Sequence, residues 1–120
     1  MLLTKEQILQ SEDRESVDVE VKEWGGTVRL AVMSGTARDA YESSLIDLKE
    51  DGTATRNLEN IRAKLVAASI VDEEGKTVFT ADSIVALGNK NGAVLDRLYE
   101  VANQLNTVTQ DKVEDLAKNS

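Results

Sequence analysis

The chain has 120 residues and a net charge of −8, from 22 acidic and 14 basic side chains, and it contains no cysteine, histidine or proline. Those absences exclude disulfides, thiol chemistry, the usual zinc and haem ligand sets and any Ser-His-Asp arrangement. The acidic balance disfavours sequence-independent nucleic-acid binding, which needs a basic surface to displace counterions.

One domain is expected at this length, 1–120, with roughly two-thirds of the unfolded surface buried. Aromatic residues make up 3% of the chain, so Leu, Val, Ile and Ala must build the core. No stretch approaches the ~20 apolar residues of a membrane span. The opening Met-Leu-Leu-Thr-Lys-Glu lacks the features of a signal peptide, so a soluble intracellular domain is expected.

Thr4 and Gln7 stand at capping-box spacing and predict a short helix over Lys5 to Gln10. Val17, Val19 and Val21 then alternate with polar residues, as do Val28, Leu30 and Val32 beyond Gly25-Gly26. A Gly-Gly pair between such runs predicts a two-residue type I′ turn, with positive φ at both glycines. In that register Trp24 faces Thr27, Val21 faces Leu30 and Val19 faces Val32. Both apolar stripes share a face, and Trp24 falls on the polar one.

Ser34 caps a predicted helix to about Lys49, with Ala37, Ala40, Tyr41, Leu45 and Leu48 at helical spacing. The polar stretch Glu50 to Thr55 reads as a mobile loop. A second helix is predicted from about Arg56 to Ser69, with Leu58, Ile61, Leu65 and Ala68 inward. Gly75, between Ile70-Val71 and Thr77-Val78-Phe79, marks a tight turn in a small hairpin. Thr80 starts a short helix through Leu87 that ends at Gly88. The widest apolar stripe runs from Ala93 to Asn106 and includes Val94, Leu95, Leu98 and Tyr99. Thr109 caps a last piece, and residues 110–120 are expected to dock weakly as a tail. The expected fold is α+β: a mainly helical single domain with one long β-hairpin over about 17–32 and a small second hairpin over about 70–79.

The candidate chemistry reduces to surface structure. Gly25-Gly26 lacks the context of a phosphate loop, and Asp72-Glu73-Glu74 lacks the ligand spacing of a calcium loop. Arg38 beside Asp39, and Arg97 near Asp96 and Glu100, read as exposed helix pairs. No catalytic, cofactor or metal site is expected, and the chain reads as a non-enzymatic protein that works by contact. Trp24 carries two readings: cover for the hairpin, or a contact residue of the kind enriched at interface hot spots. The expected partner surface is the hairpin tip with Trp24 and Arg29, plus Arg38 and Tyr41 on the following helix.

Taken together, MLLTKEQIL, the EWGG tip followed by VRL, MSGTARDAYE, IVDEEGKTVFTADSIVALG and LDRLYEVANQLN resemble the phage tail assembly chaperones in their order and spacing, over Met1 to Leu116. The resemblance implies a factor of the host bacterial cytoplasm that binds the tape measure protein, helps recruit tail tube subunits, self-associates and is absent from the finished virion. It also implies a longer form made by programmed frameshifting, through which tail tube contact is mainly made. Ala117-Lys118-Asn119 can be encoded by GCA-AAA-AAC, which contains a slippery heptamer. A structural minor tail or head-tail connector subunit, retained in the virion, is the alternative. A small host-directed adaptor is a third reading that no motif supports.

Overall fold

The computed structural model describes residues 1–118, with side-chain surroundings through residue 107. The opening helix forms where the capping box placed it: α1 spans Lys5–Gln10, the Thr4 hydroxyl accepts from the Gln7 N–H, and the Gln7 side chain accepts from the Thr4 N–H.

β1 (Ser16–Val21) and β2 (Gly26–Ala31) form the long antiparallel hairpin. Its register differs from the expected one, since Val19 faces Val28 and Val17 faces Leu30. The turn is a single 3₁₀ turn over Lys22–Trp24, closed by the Gly25 N–H donating to the Lys22 carbonyl at 3.0 Å. Only Gly25 takes a positive φ, at 77°, while Gly26 is already in the ladder. The pairing slips by an even number of residues, so the valine stripe keeps its face. Trp24 leaves the strand instead of sitting on the polar face, and packs half-buried against the core.

β5 (Ile70–Val71) adds to β2, giving the order β1-β2-β5. Past β5 the chain turns back through Gly75, at φ 82°, to the bridge between Val71 and Thr77, so the small second hairpin is present. The Asp72 carboxylate accepts from the Glu74 and Lys76 N–H groups and holds this turn.

α2 spans Gly35–Ser43 and stops well short of Lys49. Ser44 ends it by donating its hydroxyl to the Tyr41 carbonyl at 2.6 Å. The segment expected as helix end and mobile loop is instead a separate hairpin of β3 (Ile46–Leu48) and β4 (Ala54–Arg56). Its turn uses Gly52 at φ 87°, with the Asp51 carboxylate accepting from the Thr53 N–H and hydroxyl. Leu48, expected inward, is 80% exposed.

The next helix, α3, begins at Ile61 and ends at Ser69. It cannot extend back to Arg56 because Asn60 adopts a left-handed φ of 55°, and Leu58 is left 48% exposed. α4 covers Ile84–Gly88. α5 runs unbroken over Gly92–Lys118, without the interruption expected near Thr109. The docking expected of the 110–120 tail lies outside the residues whose side chains are described.

Val21, Leu30, Val66, Val94 and Leu98 form the centre of the core, each 0% exposed, so the sheet packs its valine face on α3 and α5. A smaller cluster of Met33, Leu65 and Ala102 extends it toward α2, and Tyr99 touches both. The result is mixed α+β. Helix makes up 48% of the described residues, and two small antiparallel sheets stand beside it, so "mainly helical" overstated the balance.

Candidate functional site

An apolar depression lies where three segments meet. α2 supplies Ala37, Ala40 and Tyr41, α3 supplies Ala67 and Ala68, and the chain after the second turn supplies Phe79 and Ile84. The cavity measures about 230 Å³. It exists because alanines recur on the facing sides of α2 and α3, and so keep the helices from filling the space between them.

α2 is fixed at its start by the Ser34 hydroxyl, which accepts from the Ala37 N–H at 3.1 Å. At its end, the Lys64 ammonium reaches across from α3 and donates to the Ser44 carbonyl at 2.9 Å. Lys64 is the charged residue in the lining, and no acid joins it there. Burial pushes the Tyr41 phenol up from its ordinary pKa, and the nearby Tyr99 and Glu42 add to the effect. Tyr41 is therefore a neutral, half-buried wall at neutral pH.

Of the four residues expected at a partner surface, α2 brings two together. Tyr41 lines the groove, and Arg38, three residues earlier on the same helix, pairs with Glu42 at 3.1 Å. Arg29 lies elsewhere, on β2, where it makes a two-pronged contact with Asp18 at 2.7 and 3.1 Å. That hydrogen bond holds the Asp18 carboxyl below its ordinary range. Trp24 sits at the hairpin turn beside Glu23, whose carboxylate accepts twice from Arg97 on α5, each at 3.2 Å. Arg97 thus ties the turn to the body and does not pair along its own helix. Asp96 pairs with Arg62 of α3.

Sequence reasoning missed the groove and the uncovered aliphatic side chains around the molecule. Leu2, Leu3, Ile8 and Leu9 on the amino-terminal arm, Ile46 and Leu48 on β3, and Val78 and Val85 are all more than half exposed or at that level. Leu48 had been read at helical spacing, whereas it and Ile46 belong to β3.

Among the described residues no group of His, Cys, Asp and Glu is placed to hold a metal ion, and no helix is long and apolar enough to cross a membrane. The molecule is thus an acidic α+β module with an apolar groove and uncovered aliphatic side chains. Comparison with family models gives the particular family: residues 4–119 match the phage tail assembly chaperones, and the chain belongs to that family. A solved structure of the bacteriophage HK97 tail assembly chaperone is 27% identical. The match covers 77% of this chain and 85% of that one, with a TM-score of 0.55. No curated protein matches the chain. The family is one of assembly chaperones, and no enzymatic family is indicated.

Proposed function

We propose that this protein is a non-enzymatic tail assembly chaperone that binds the tape measure protein and covers its apolar segments during assembly in the host bacterial cytoplasm. In this reading several copies associate along the tape measure chain, help recruit tail tube subunits, mainly through a longer frameshifted form, and leave before the virion is complete. The observation that carries the reading is the combination of family membership with exposed aliphatic side chains on a chain of net charge −8. Large uncovered apolar residues on a folded protein mark contact surfaces, and the surplus charge keeps such surfaces from indiscriminate association.

Partner contact is assigned to two areas. One is the hairpin, through Arg29 and the exposed edge of Trp24. The other is the α2 flank of the groove, through Arg38 and Tyr41. Co-expression with the tape measure protein tests the function: that chain should stay soluble and co-purify only when this one is present. Equal precipitation with and without it would refute the reading. Mass spectrometry of purified virions should find no peptides of this chain; peptides at structural copy number would make it a tail or connector subunit instead.

A further inference from the structure

β1 is an edge strand. The order β1-β2-β5 leaves its outer side open, and among the described residues nothing pairs with it. The parity of the ladder decides which backbone groups stand on that side. The Glu15 carbonyl accepts from the Val32 N–H at 2.8 Å, and the register continues with Val17 opposite Leu30 and Val19 opposite Val28. Hydrogen bonding alternates along an antiparallel pair, so Ser16, Asp18 and Glu20 turn their N–H and C=O groups away from β2. The edge is therefore a row of donors and acceptors on a six-residue strand with no bulge in its register.

Such edges are commonly closed by lysine, proline or a bulge, and β1 has none of them. The charge it carries is of one sign. Residues 12–20 hold Glu12, Asp13, Glu15, Asp18 and Glu20 against Arg14 alone. Arg14 is engaged by the Val32 and Gly75 carbonyls. Arg29 answers Asp18, whereas Glu20 has no ion pair among the described residues.

The apolar face of β1 is unfinished at the same place. Val21 is 0% exposed, Val19 is half-buried and Val17 is 38% exposed. Apolar side chains on a strand laid outside β1 would cover Val17 and Val19, as cross-strand neighbours do. A second copy of β1 is a poor occupant. It would set Asp18 and Glu20 against the same acids, and like charges across a ladder repel.

We propose that the free edge of β1 takes up an extended segment of a partner protein, in which basic and apolar side chains alternate, as a further strand of the sheet. The backbone edge supplies the hydrogen bonds and the alternate side chains supply the selectivity. Basic side chains fall beside Asp18 and Glu20, and apolar ones beside Val17 and Val19. This goes beyond covering apolar client segments, because main-chain groups and an acidic face do the recognising.

The probe is a short blocked peptide of alternating lysine and valine, added to the full chain and followed by amide hydrogen exchange. Binding should slow exchange at Ser16, Asp18 and Glu20 and leave Val17 and Val19, already bonded to β2, unchanged. Attraction between charges alone does not produce that alternation. Two N-methylated peptides keep the charge and remove donors. Methylation of the lysine amides blocks an antiparallel addition, and methylation of the valine amides blocks a parallel one. One of the two, not both, should weaken binding about 25-fold, a factor of about five for each of two lost bonds. In the protein, Glu20→Lys at this exposed position should weaken binding about three- to tenfold with an unchanged melting temperature. No saturable binding by about 1 mM peptide, protection that misses these three amides, or equal binding of both methylated peptides would each overturn the proposal. Protection of the same amides that rises with protein concentration, without peptide, would give the edge to a second copy and overturn it too. Client covering is read separately by co-expression with the tape measure protein, so either reading can fail alone.

Discussion

Replacing Trp24 with alanine separates the two roles open to it. The indole is half-buried at the hairpin turn and packs against the cluster containing Val21, Leu30 and Leu98. A tryptophan side chain buries about 150–250 Å² when enclosed, which at about 25 cal/mol per Å² corresponds to roughly 4–6 kcal/mol. Partial exposure and the retained Cβ bring the expected loss for Trp24→Ala to about 2–3 kcal/mol. At roughly 4–8 °C per kcal/mol for a domain near this size, the melting temperature should fall by about 8–24 °C. Calorimetry or circular dichroism measures this, with Trp24→Phe as the control that restores most of the packing. Tape measure co-purification is then compared at a temperature where the variant remains folded. A melting temperature within about 2 °C of wild type, by the same conversion, would refute the packing argument. Lost co-purification beside it would make Trp24 a contact residue alone.

Asn106 joins α5 to the end of β2: its Oδ1 accepts from the buried Met33 N–H at 3.2 Å and its Nδ2 donates to the Ala102 carbonyl. Asn106→Leu strands the Met33 donor and should cost about 1–3 kcal/mol in chemical denaturation. At Asn60, which holds φ 55°, Asn60→Val should cost about 1–2 kcal/mol because a branched side chain resists the left-handed region, whereas Asn60→Gly should be near neutral. Hydrogen bonds from Arg29, Arg97 and the Lys76 backbone depress the carboxyls of Asp18, Glu23 and Asp72. Their stabilisation is therefore complete above the ordinary carboxylate range and is lost as pH falls through the lower folded values. Melting temperature should drop below about pH 4, and the drop should shrink in a chain carrying Asp18→Asn, Glu23→Gln and Asp72→Asn. Self-association should strengthen between about 20 and 300 mM salt, read by sedimentation, because repulsion between like-charged copies is screened.

What could be read from the sequence was local. The Thr4–Gln7 cap involves neighbours only, and the alternation of Val17, Val19 and Val21 declares a strand whatever it pairs with. The register was not local, because two turn geometries fit the same valine stripe. The choice falls to Trp24, which needs a place against the core, and to Glu23, which needs Arg97 across the fold. β3 and β4 were hidden for a different reason. Leu45 and Leu48 continue the helical spacing of Ala37 and Tyr41, and a three-residue strand has too few positions to contradict it. The decisive signals, the Ser44 cap and the Asp51-Gly52 turn, were present but weak. The groove needed the most distant information, since Ala37, Ala40 and Ala68 read as helix-face alanines until α2, α3 and the Phe79 segment are set side by side.

The charge and the uncovered aliphatic side chains also need a joint account. The radius of gyration is 16.4 Å, against about 13.6 Å for an ordinary 120-residue domain, and Leu2, Leu3, Leu9 and Leu48 lie in water. A neutral chain built this way would associate wherever two apolar patches met. With −8 on each copy, approach is repelled over roughly a Debye length, about 8 Å at physiological salt. Only contacts that bury a matched apolar area at short range overcome that barrier. Repulsion thus filters encounters by shape complementarity, which is the selectivity that the proposed covering of an apolar client would require.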